Sequence, residues 1–459
     1  MNKNLIDKVR EFIEQDPVRF HVPSHKGRGE FEYINLAHDI TELSFSDNLL
    51  CPENVILNAQ EEATEIFNSK KTFFTTNGAT ACVMASICAS VKKGEEIILF
   101  SDSHISAYYG AIHADVIINR ALVCDHVAGV SLEDVKMALA NYPNSAAIFM
   151  TYPTYYGCCT DLKSICEFLK QKNITIIVDE SHGTHLVFSS EYPLSALECG
   201  ADIVVHSGHK TINGLTQAGM LHIASDRVNS HRLEFYLHSF QSTSPSYLIL
   251  MSLVSATKEL KSADIILKQA KLWYNDMISS ISDRSFMLLN HEYLMNGYCE
   301  GIDYLKMPLL NSLGLSGFEL GRELENKYKI YSELMNDEIV LCFAGLGSNE
   351  KDYSRLIDAL SQIKCNHTYS PIDIKKSNIY IPTSLEKRMS IKEAMQIDNE
   401  WCELKDCVGR VCADFVYVYP PGAPILVGGE VISSEAYEYM LMNINNIKGL
   451  NGTTIRVVK

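Results

Sequence analysis

The stretch that decides the fold is Ala201-Asp-Ile-Val-Val-His-Ser-Gly-His-Lys210-Thr211. Its apolar, β-branched centre, Ile203 to Val205, predicts a short buried strand. Small and polar residues follow and lead to one lysine, Lys210. Ligands of open α/β sheets bind beyond the carboxyl ends of the strands, so Lys210 is a candidate for an amine that attacks a carbonyl carbon. A solvent-exposed lysine at a strand end is the ordinary alternative.

A second predicted strand ends in a carboxylate. The run Ile174-Thr-Ile-Ile-Val-Asp179 is apolar and β-branched up to its last residue. The chain between Asp179 and Lys210 is long enough for a crossover between parallel strands, which would bring both residues to one edge of a sheet. Pyridoxal phosphate needs such a pair, because a carboxylate keeps the pyridine nitrogen protonated and the protonated ring then accepts electrons from the substrate Cα.

A turn that suits a phosphate lies earlier in the chain. Lys71 to Thr76 predicts a strand, Asn77-Gly78-Ala79-Thr80 a tight turn, and Ala81 to Val91 an apolar helix. Backbone N–H groups at a helix N-terminus bind anions, although strand–turn–helix units without a ligand are common. A further strand, Glu96 to Phe100, leads to His104, which is either a ring that stacks on a flat cofactor or a surface histidine.

The order of elements predicts the fold class. Strands and helices alternate from about residue 111 to 188, which favours a mostly parallel α/β sheet covered on both faces. We expect an N-terminal helix and arm in residues 1–45, a large domain in 46–300 and a smaller C-terminal α+β domain in 301–459. Prolines and glycines between Tyr417 and Glu430 predict a loop there.

Composition narrows the class of protein. The 459 residues carry a formal net charge of −16 and no basic cluster, which argues against nucleic-acid binding. Fourteen cysteines include no C-x-x-C pair and several lie in apolar runs, as expected of reduced thiols. The charged N-terminus is unlike a signal peptide, and no apolar stretch reaches membrane-spanning length. We therefore expect a cytoplasmic enzyme without membrane contact.

Nine motifs, taken together in order, resemble the bacterial ornithine/lysine/arginine decarboxylase family, whose members are pyridoxal-phosphate enzymes of fold type I. The motifs are His21-Val-Pro-Ser-His-Lys-Gly, Asp39-Ile-Thr-Glu, Asn77-Gly-Ala-Thr, Pro153-Thr-Tyr, Asp179-Glu-Ser-His-Gly-Thr-His, Ser207-Gly-His-Lys-Thr, Ser242-Thr-Ser-Pro-Ser-Tyr, Gly409-Arg-Val and Tyr419-Pro-Pro-Gly-Ala-Pro. The match runs from about residue 20 to 435. It implies a seven-stranded, aspartate-aminotransferase-like large domain in the short form of the family, which lacks the N-terminal flavodoxin-like wing.

The resemblance also implies roles for individual residues. Lys210 would hold the cofactor covalently, Asp179 would bind the pyridine nitrogen, His104 would stack on the ring, and His182 would lie near the reacting Cα. Glu430 would meet the distal cation of the substrate. The residues implied at the phosphate are Gly78, Ala79, Thr80, Ser207 and His209, with Ser242 and Thr243 from a neighbouring subunit. Ala79 and Ser181 depart from the family pattern, and both departures leave the substrate open.

The implied reaction is decarboxylation of arginine, lysine or ornithine to an amine and CO₂, as in polyamine biosynthesis, by an oligomer that is at least a homodimer with shared active sites. Aminotransfer or a lyase reaction would need the same lysine and aspartate. A non-catalytic regulatory relative would need neither. A zinc hydrolase is a further alternative, built on His182, His185, His206 and His209, but a familiar ligand set is incomplete, so we expect no metal.

Overall fold

The chain is built around one seven-stranded sheet. The computed structural model describes residues 14–20, 24, 26, 40–42, 46–281, 286–363, 386–444 and 446–459. In spatial order the strands are Lys71–Thr75, Gly219–Ile223, Ile203–Ser207, Thr175–Asp179, Ser145–Thr151, Glu96–Phe100 and Ile117–Ala121. Within this sheet, Gly219–Ile223 is antiparallel to both of its neighbours and the other strands share one direction. The predicted mostly parallel α/β fold is confirmed.

Side chains of these strands alternate between two cores. Ile148, Ile176 and Val204 pack into one cluster, whereas Phe149 and Ile177 pack into the other. Because successive residues of a strand point to opposite faces, a strand that is apolar on every residue requires cover on both sides. That cover comes from helices. The α-helices among the described residues are Val55–Ile66, Gly78–Ser90, Ile105–Ala114, Leu132–Asn141, Leu162–Gln171, Ala196–Cys199, Ser230–Ser239, Tyr247–Glu259, Ala263–Ile281, Leu289–Met295, Gly317–Tyr328, Glu350–Gln362, Ile391–Gln396 and Ser434–Met442.

A second sheet follows the long helix Ala263–Ile281. It has four antiparallel strands, in the order Phe286–Leu288, Lys306–Asn311, Val340–Phe343 and Leu334–Met335. The sheet begins before residue 300, and a separate core packs the region from about Leu404 to Val457. The predicted division into three domains stays a prediction, and the predicted N-terminal helix falls on residues of which most lie outside the described ranges.

The C-terminal region contains two small sheets of three strands. One is Asn399–Glu403, Thr454–Val458 and Leu450–Asn451, and the other is Pro424–Leu426, Val416–Val418 and Ile447–Lys448. The prediction that Tyr417 to Glu430 forms only a loop is therefore wrong. Pro424 is tolerated because it is the first residue of its strand, a position where a missing N–H costs little. The turn from Tyr419 to Ala423 leads directly into the cavity described below.

Two short pairings complete the strands of the described residues. Val18–Phe20 runs parallel to Ile330–Ser332, which joins the N-terminal arm to the second half of the chain. Cys158–Cys159 pairs with Gly301–Ile302. In the part of the chain that the structure describes, no helix has both the length and the apolar character needed to cross a membrane.

Candidate active site

A cavity of about 900 Å³ lies at the carboxyl edge of the large sheet. Four of its lining residues lie at a strand end or a few residues beyond one: Asn77, His104, Asp179 and Lys210. The opposite wall comes from the segment Glu333–Glu338 and from the C-terminal region. Parallel strands place their carboxyl ends side by side, so the sheet topology itself brings these chain segments together.

Lys210 lies three residues beyond the strand Ile203–Ser207 and lines the cavity. Its Nζ is 2.8 Å from His182 Nε2. Burial lowers the pKa of Lys210, while Asp179 and Glu333 act in the opposite direction. A buried lysine whose pKa falls is more often a neutral amine, which is the form that attacks a carbonyl carbon.

Asp179 is the last residue of the neighbouring strand, Thr175–Asp179, and is 8% exposed. Its Oδ1 accepts a hydrogen bond from the Ser181 N–H at 3.1 Å. Both Asp179 and Lys210 line the same cavity, as the crossover argument predicted. An anionic carboxylate held at a strand end is placed to stabilise a protonated ring nitrogen of a bound molecule.

His182 lies between two lysines. Its Nδ1 is 2.8 Å from Nζ of Lys306, a lysine without exposed surface on the strand Lys306–Asn311. The His182 ring stacks on Phe343 at a centroid distance of 5.5 Å, and Tyr155 meets it edge-on. Burial first, and then the positive charges of the two lysines, hold the pKa of His182 well below its usual range. His182 is therefore a neutral imidazole.

The helix Gly78–Ser90 begins at the cavity, three residues earlier than predicted. The side chain of Asn77 makes no capping hydrogen bond, so the first-turn N–H groups of Ala79 and Thr80 are suited to an anion. The Gly78 N–H is already used, because it donates to the carbonyl of Gln217 at 2.8 Å. Gly78 adopts φ +73°, which glycine tolerates and which lets the chain turn from strand to helix.

His104 lines the cavity where the large sheet meets the C-terminal region. Its Nδ1 accepts hydrogen bonds from the N–H and the hydroxyl of Ser106, and burial lowers the pKa of His104 to about 4. Gly422 packs against the ring so closely that a Cβ there would lie 3.0 Å from His104 Cδ2. A neutral imidazole held on one face and open to the cavity suits a stacking role.

The other predicted phosphate ligands fall into two groups. Ser207 and His209 line the cavity beside Lys210. Ser242 and Thr243 are exposed and lie outside the cavity lining of their own chain. Ser242 forms a local turn, in which its hydroxyl lies 3.3 Å from the carbonyl of Ser244. A role for this turn in a neighbouring subunit stays a prediction.

Glu430 is not among the residues that line the cavity, and its predicted contact with the substrate stays a prediction. It is 3% exposed, and its Oε2 lies 2.9 Å from Nη1 of Arg120, which is also buried. The Val427 N–H donates to the same carboxylate at 3.0 Å. The rigid proline–glycine segment does hold Glu430, but it holds it against Arg120, where a buried charge requires a partner.

Replacing Glu430 should lower stability and spare substrate affinity. Glu430→Gln leaves Arg120 without its countercharge, so the free energy of unfolding should fall by about 3 kcal/mol. The matched control is Glu400→Gln, which breaks an exposed Arg–Glu pair of 2.8 Å and should cost less than about 1 kcal/mol. Urea unfolding measures both changes. A raised KM in folded Glu430→Gln enzyme would support the substrate role.

The sequence analysis gave no role to three residues of the site: Lys306, Tyr155 and Glu333. The Tyr155 hydroxyl donates to Glu333 Oε1 at 3.2 Å, and Glu333 faces the cavity. Tyr155 is the tyrosine of the Pro153-Thr-Tyr motif, which the sequence analysis quoted without giving this residue a role. No local pattern marked Lys306 or Glu333, because both belong to strands or turns of the second sheet and reach the site only through tertiary packing.

Two of the four histidines considered for a zinc site, His206 and His185, hydrogen-bond to buried carboxylates instead. His206 Nε2 is 2.7 Å from Glu180, and His185 Nε2 is 2.9 Å from Asp303. Burial raises the pKa of Glu180 to about 8. Within the described ranges, no group of three or more histidine, cysteine or carboxylate side chains is arranged to hold a metal ion.

Comparison with known proteins identifies the family. The profile of the Orn/Lys/Arg decarboxylase major domain matches residues 4–287, and that of the Orn/Lys/Arg decarboxylase C-terminal domain matches residues 378–454. The chain belongs to the Orn/Lys/Arg decarboxylase family. An arginine decarboxylase of Bacillus subtilis is 30% identical over 98% of this chain and 96% of its own. An arginine decarboxylase of Halalkalibacterium halodurans is 32% identical over 99% and 97%.

Solved structures agree in fold with this decarboxylase-family chain. Lysine decarboxylase A from Pseudomonas aeruginosa has a TM-score of 0.76 at 16% identity and covers 92% of this chain and 74% of its own. An alanine–glyoxylate aminotransferase from Nostoc has a TM-score of 0.58 at 14% identity, covering 75% and 94%. The predicted family and fold class are confirmed, and the chain is an amino-acid decarboxylase by family.

Members of the Orn/Lys/Arg decarboxylase family use pyridoxal phosphate, and the cavity fits that group. It offers an amine at Lys210, a carboxylate at Asp179, a flat ring at His104 and an uncapped helix N-terminus. The buried hydroxyl of Ser181, which also lines the cavity, hydrogen-bonds to no other residue among those described. A buried polar group without a partner is costly, so a polar ligand would satisfy it.

Proposed function

We propose that this chain decarboxylates a basic amino acid with pyridoxal phosphate, and that arginine is the first substrate to test. The observation that carries the proposal is the pairing of Lys210 with Asp179 at adjacent strand ends of one cavity. The full-length relatives named arginine decarboxylase support arginine over lysine and ornithine.

Each residue of the cavity has a distinct part in the proposal. Bound pyridoxal phosphate supplies an electron sink for the pair released when the bond from Cα to the carboxylate breaks. Asp179 stabilises positive charge at the ring nitrogen, and Lys210 holds the cofactor covalently. His104 packs on the ring, while Ala79, Thr80, Ser207 and His209 bind the phosphate. The neutral His182 stands where protons enter and leave Lys210.

Carboxylates on the cavity wall suit a cationic substrate. Glu333, Asp337 and Glu338 line one side, and Glu435 and Glu438 line another. Glu333 is held by Tyr155, whose ring also contacts His182, so its carboxylate is fixed close to the reacting end of the cavity. We assign to Glu333 the recognition of the side-chain charge that sequence analysis had given to Glu430.

The proposal is tested by amine formation from arginine, lysine and ornithine with added pyridoxal phosphate. Arginine should give the highest kcat/KM. Glu333→Gln should raise KM for the preferred amino acid about 10- to 100-fold, because it removes a charge-assisted hydrogen bond. Glu323→Gln, which alters a surface glutamate paired with Lys327, is the matched control. Pyruvate-dependent aminotransfer without CO₂ release would contradict the proposed reaction.

The same proposal includes an oligomer, at least a dimer, in which Ser242 and Thr243 of one subunit contact the phosphate of the next. Their exposure on a turn outside their own cavity supports this arrangement. Mixing inactive Lys210→Ala chains with inactive chains substituted at both Ser242 and Thr243 should regenerate activity. An active monomer in sedimentation experiments would rule the shared site out.

We also propose that the enzyme acts in the cytoplasm and takes part in polyamine biosynthesis.

A further inference from the structure

Two lysine amines hydrogen-bond to the two ring nitrogens of one histidine. Lys210 Nζ and Lys306 Nζ lie 2.8 Å from His182 Nε2 and Nδ1, respectively. Lys210 and His182 line the cavity, whereas Lys306 is fully buried behind the imidazole. The hydrogen bonds therefore form a chain that begins at the cavity and ends inside the protein.

The chemistry of the three groups restricts where their protons are. A neutral imidazole has one N–H donor and one bare acceptor nitrogen, and an ammonium group can only donate. Two ammonium groups would need two bare ring nitrogens, which a neutral imidazole does not have. A doubly protonated ring would add a third cation to the buried cluster. One of the two lysines must therefore be a neutral amine that accepts the ring N–H.

Lys306 is the better candidate for the neutral amine. Its Nζ lies 4.1 Å from the centroid of the Phe343 ring, and besides His182 it contacts the carbonyl of Tyr155 at 3.3 Å. Burial lowers the pKa of Lys306 to about 7. Burial lowers the pKa of Lys210 as well, but the carboxylates of Asp179 and Glu333 act against it and favour the charged form of this lysine.

Other charged or titratable groups act on this chain from the elements packed around it. Asp303, Glu333 and Cys159 raise the pKa of Lys306, and His209 and His104 lower that of His182. Asp303 is itself bonded to His185. In the resting arrangement the Lys210 ammonium thus donates to Nε2, and the Nδ1–H donates to the Lys306 amine.

We propose that Lys306 is the terminal base of a proton relay that runs from Lys210 through His182. An N–H bond of Lys210 breaks and its proton goes to Nε2, while the Nδ1–H bond breaks and its proton goes to the lone pair of Lys306. The imidazole stays neutral with its tautomer reversed, and Lys210 becomes a neutral amine. Lys306 acts through His182 and is therefore a positioning residue.

The relay solves a problem that His182 alone cannot solve. Burial and the neighbouring lysines lower the pKa of His182, which disfavours a second proton on its ring. A base that titrates near neutral pH is suited to accept one. The inference rests on the proposed function, because Lys210 must be a neutral amine each time it forms its bond to the cofactor.

The test is the pH dependence of the rate at which Lys210 attaches added pyridoxal phosphate to the cofactor-free, full-length chain. Lys306→Gln keeps an acceptor for the Nδ1–H but takes up no proton, so attachment near neutral pH should slow about 10²-fold, with the midpoint moved to higher pH. Lys306→Met, which removes the acceptor as well, should slow at least as much. Lys271→Gln, at a lysine paired with Glu191, is the control and should match the wild type.

Folded Lys306→Gln and Lys306→Met chains with the wild-type midpoint would overturn the relay. A measurement on the wild type needs no variant to fold: ¹⁵N NMR of histidine-labelled protein should show the His182 proton moving between Nδ1 and Nε2 near pH 7 without a charged ring. A ring that gains a second proton, or keeps one tautomer across this range, would also overturn it. If cofactor attaches normally but no basic amino acid is decarboxylated, the proposed function fails and the relay is judged separately.

Discussion

Replacing Lys210 with alanine should abolish both cofactor attachment and decarboxylation. The expected loss in kcat is about 10⁴-fold or more, the range seen when a covalent catalytic residue is removed. No other lysine lines the cavity in the described part of the chain. Lys306 cannot take over, because it is fully buried behind His182. The visible absorption band of the lysine-bound cofactor should therefore disappear with the activity.

Two measurements check this expectation. Borohydride reduction of the wild type should fix the cofactor on the peptide that contains Lys210, and mass spectrometry should find no such adduct in Lys210→Ala. Lys271→Ala serves as the control, because Lys271 pairs with Glu191 away from the cavity. A Lys210→Ala chain that keeps the band and full activity would show that another amine holds the cofactor.

Asp179 and Lys210 could be placed together from the sequence because both lie at the ends of predicted strands. Asp179 and Lys210 each follow an apolar β-branched run, and the alternation of strands and helices implied that these runs are parallel. Parallel strands leave their carboxyl ends at one edge, so two local patterns were enough to place two residues together. The same rule predicted that His104 and the turn at Gly78 lie at this edge of the sheet.

The remaining parts depend on contacts between distant segments, which no local pattern encodes. Lys306 is 124 residues from His182 in the chain, and Arg120 is 310 residues from Glu430. For Glu430 the proline-rich segment indicated a fixed carboxylate correctly, but sequence could not show that a buried arginine already neutralised it. The contact proposed for Ser242 and Thr243 also has no local pattern in the sequence, because its partner is on another chain.

Hydrogen bonds of the buried Glu180 anchor the segment that carries Asp179 and Ser181. Glu180 accepts the Ser195 hydroxyl and the Ala196 N–H at 2.7 Å each, and His206 bonds to the same carboxylate. Asp179 and Ser181 stand on either side of Glu180 in the chain. A carboxylate satisfied by several donors fixes the backbone it belongs to, so the segment from Asp179 to His182 is anchored at the sheet edge.

Asp179→Asn should bind pyridoxal phosphate and yet lose most of kcat. Asparagine keeps the size of the side chain and the oxygen that accepts the Ser181 N–H, so the loop should stay in place. It carries no negative charge, so the ring nitrogen loses the partner that stabilises its proton and the electron sink weakens. We expect kcat to fall about 10²- to 10⁴-fold, as is typical when a charge-stabilising group is removed from an active site.

Comparison with a control variant separates the effect of Asp179→Asn on kcat from its effects on cofactor affinity and on folding. Asp161→Asn is the matched control: Asp161 caps the helix Leu162–Gln171 through the Ser164 N–H, and asparagine caps equally well, so kcat and stability should not change. Cofactor affinity, measured from the visible band, should fall far less than kcat in Asp179→Asn. Thermal unfolding should differ little between the two variants. Unchanged turnover in Asp179→Asn would remove the ring-nitrogen role, because the decisive property of this residue is its charge and not its hydrogen bond.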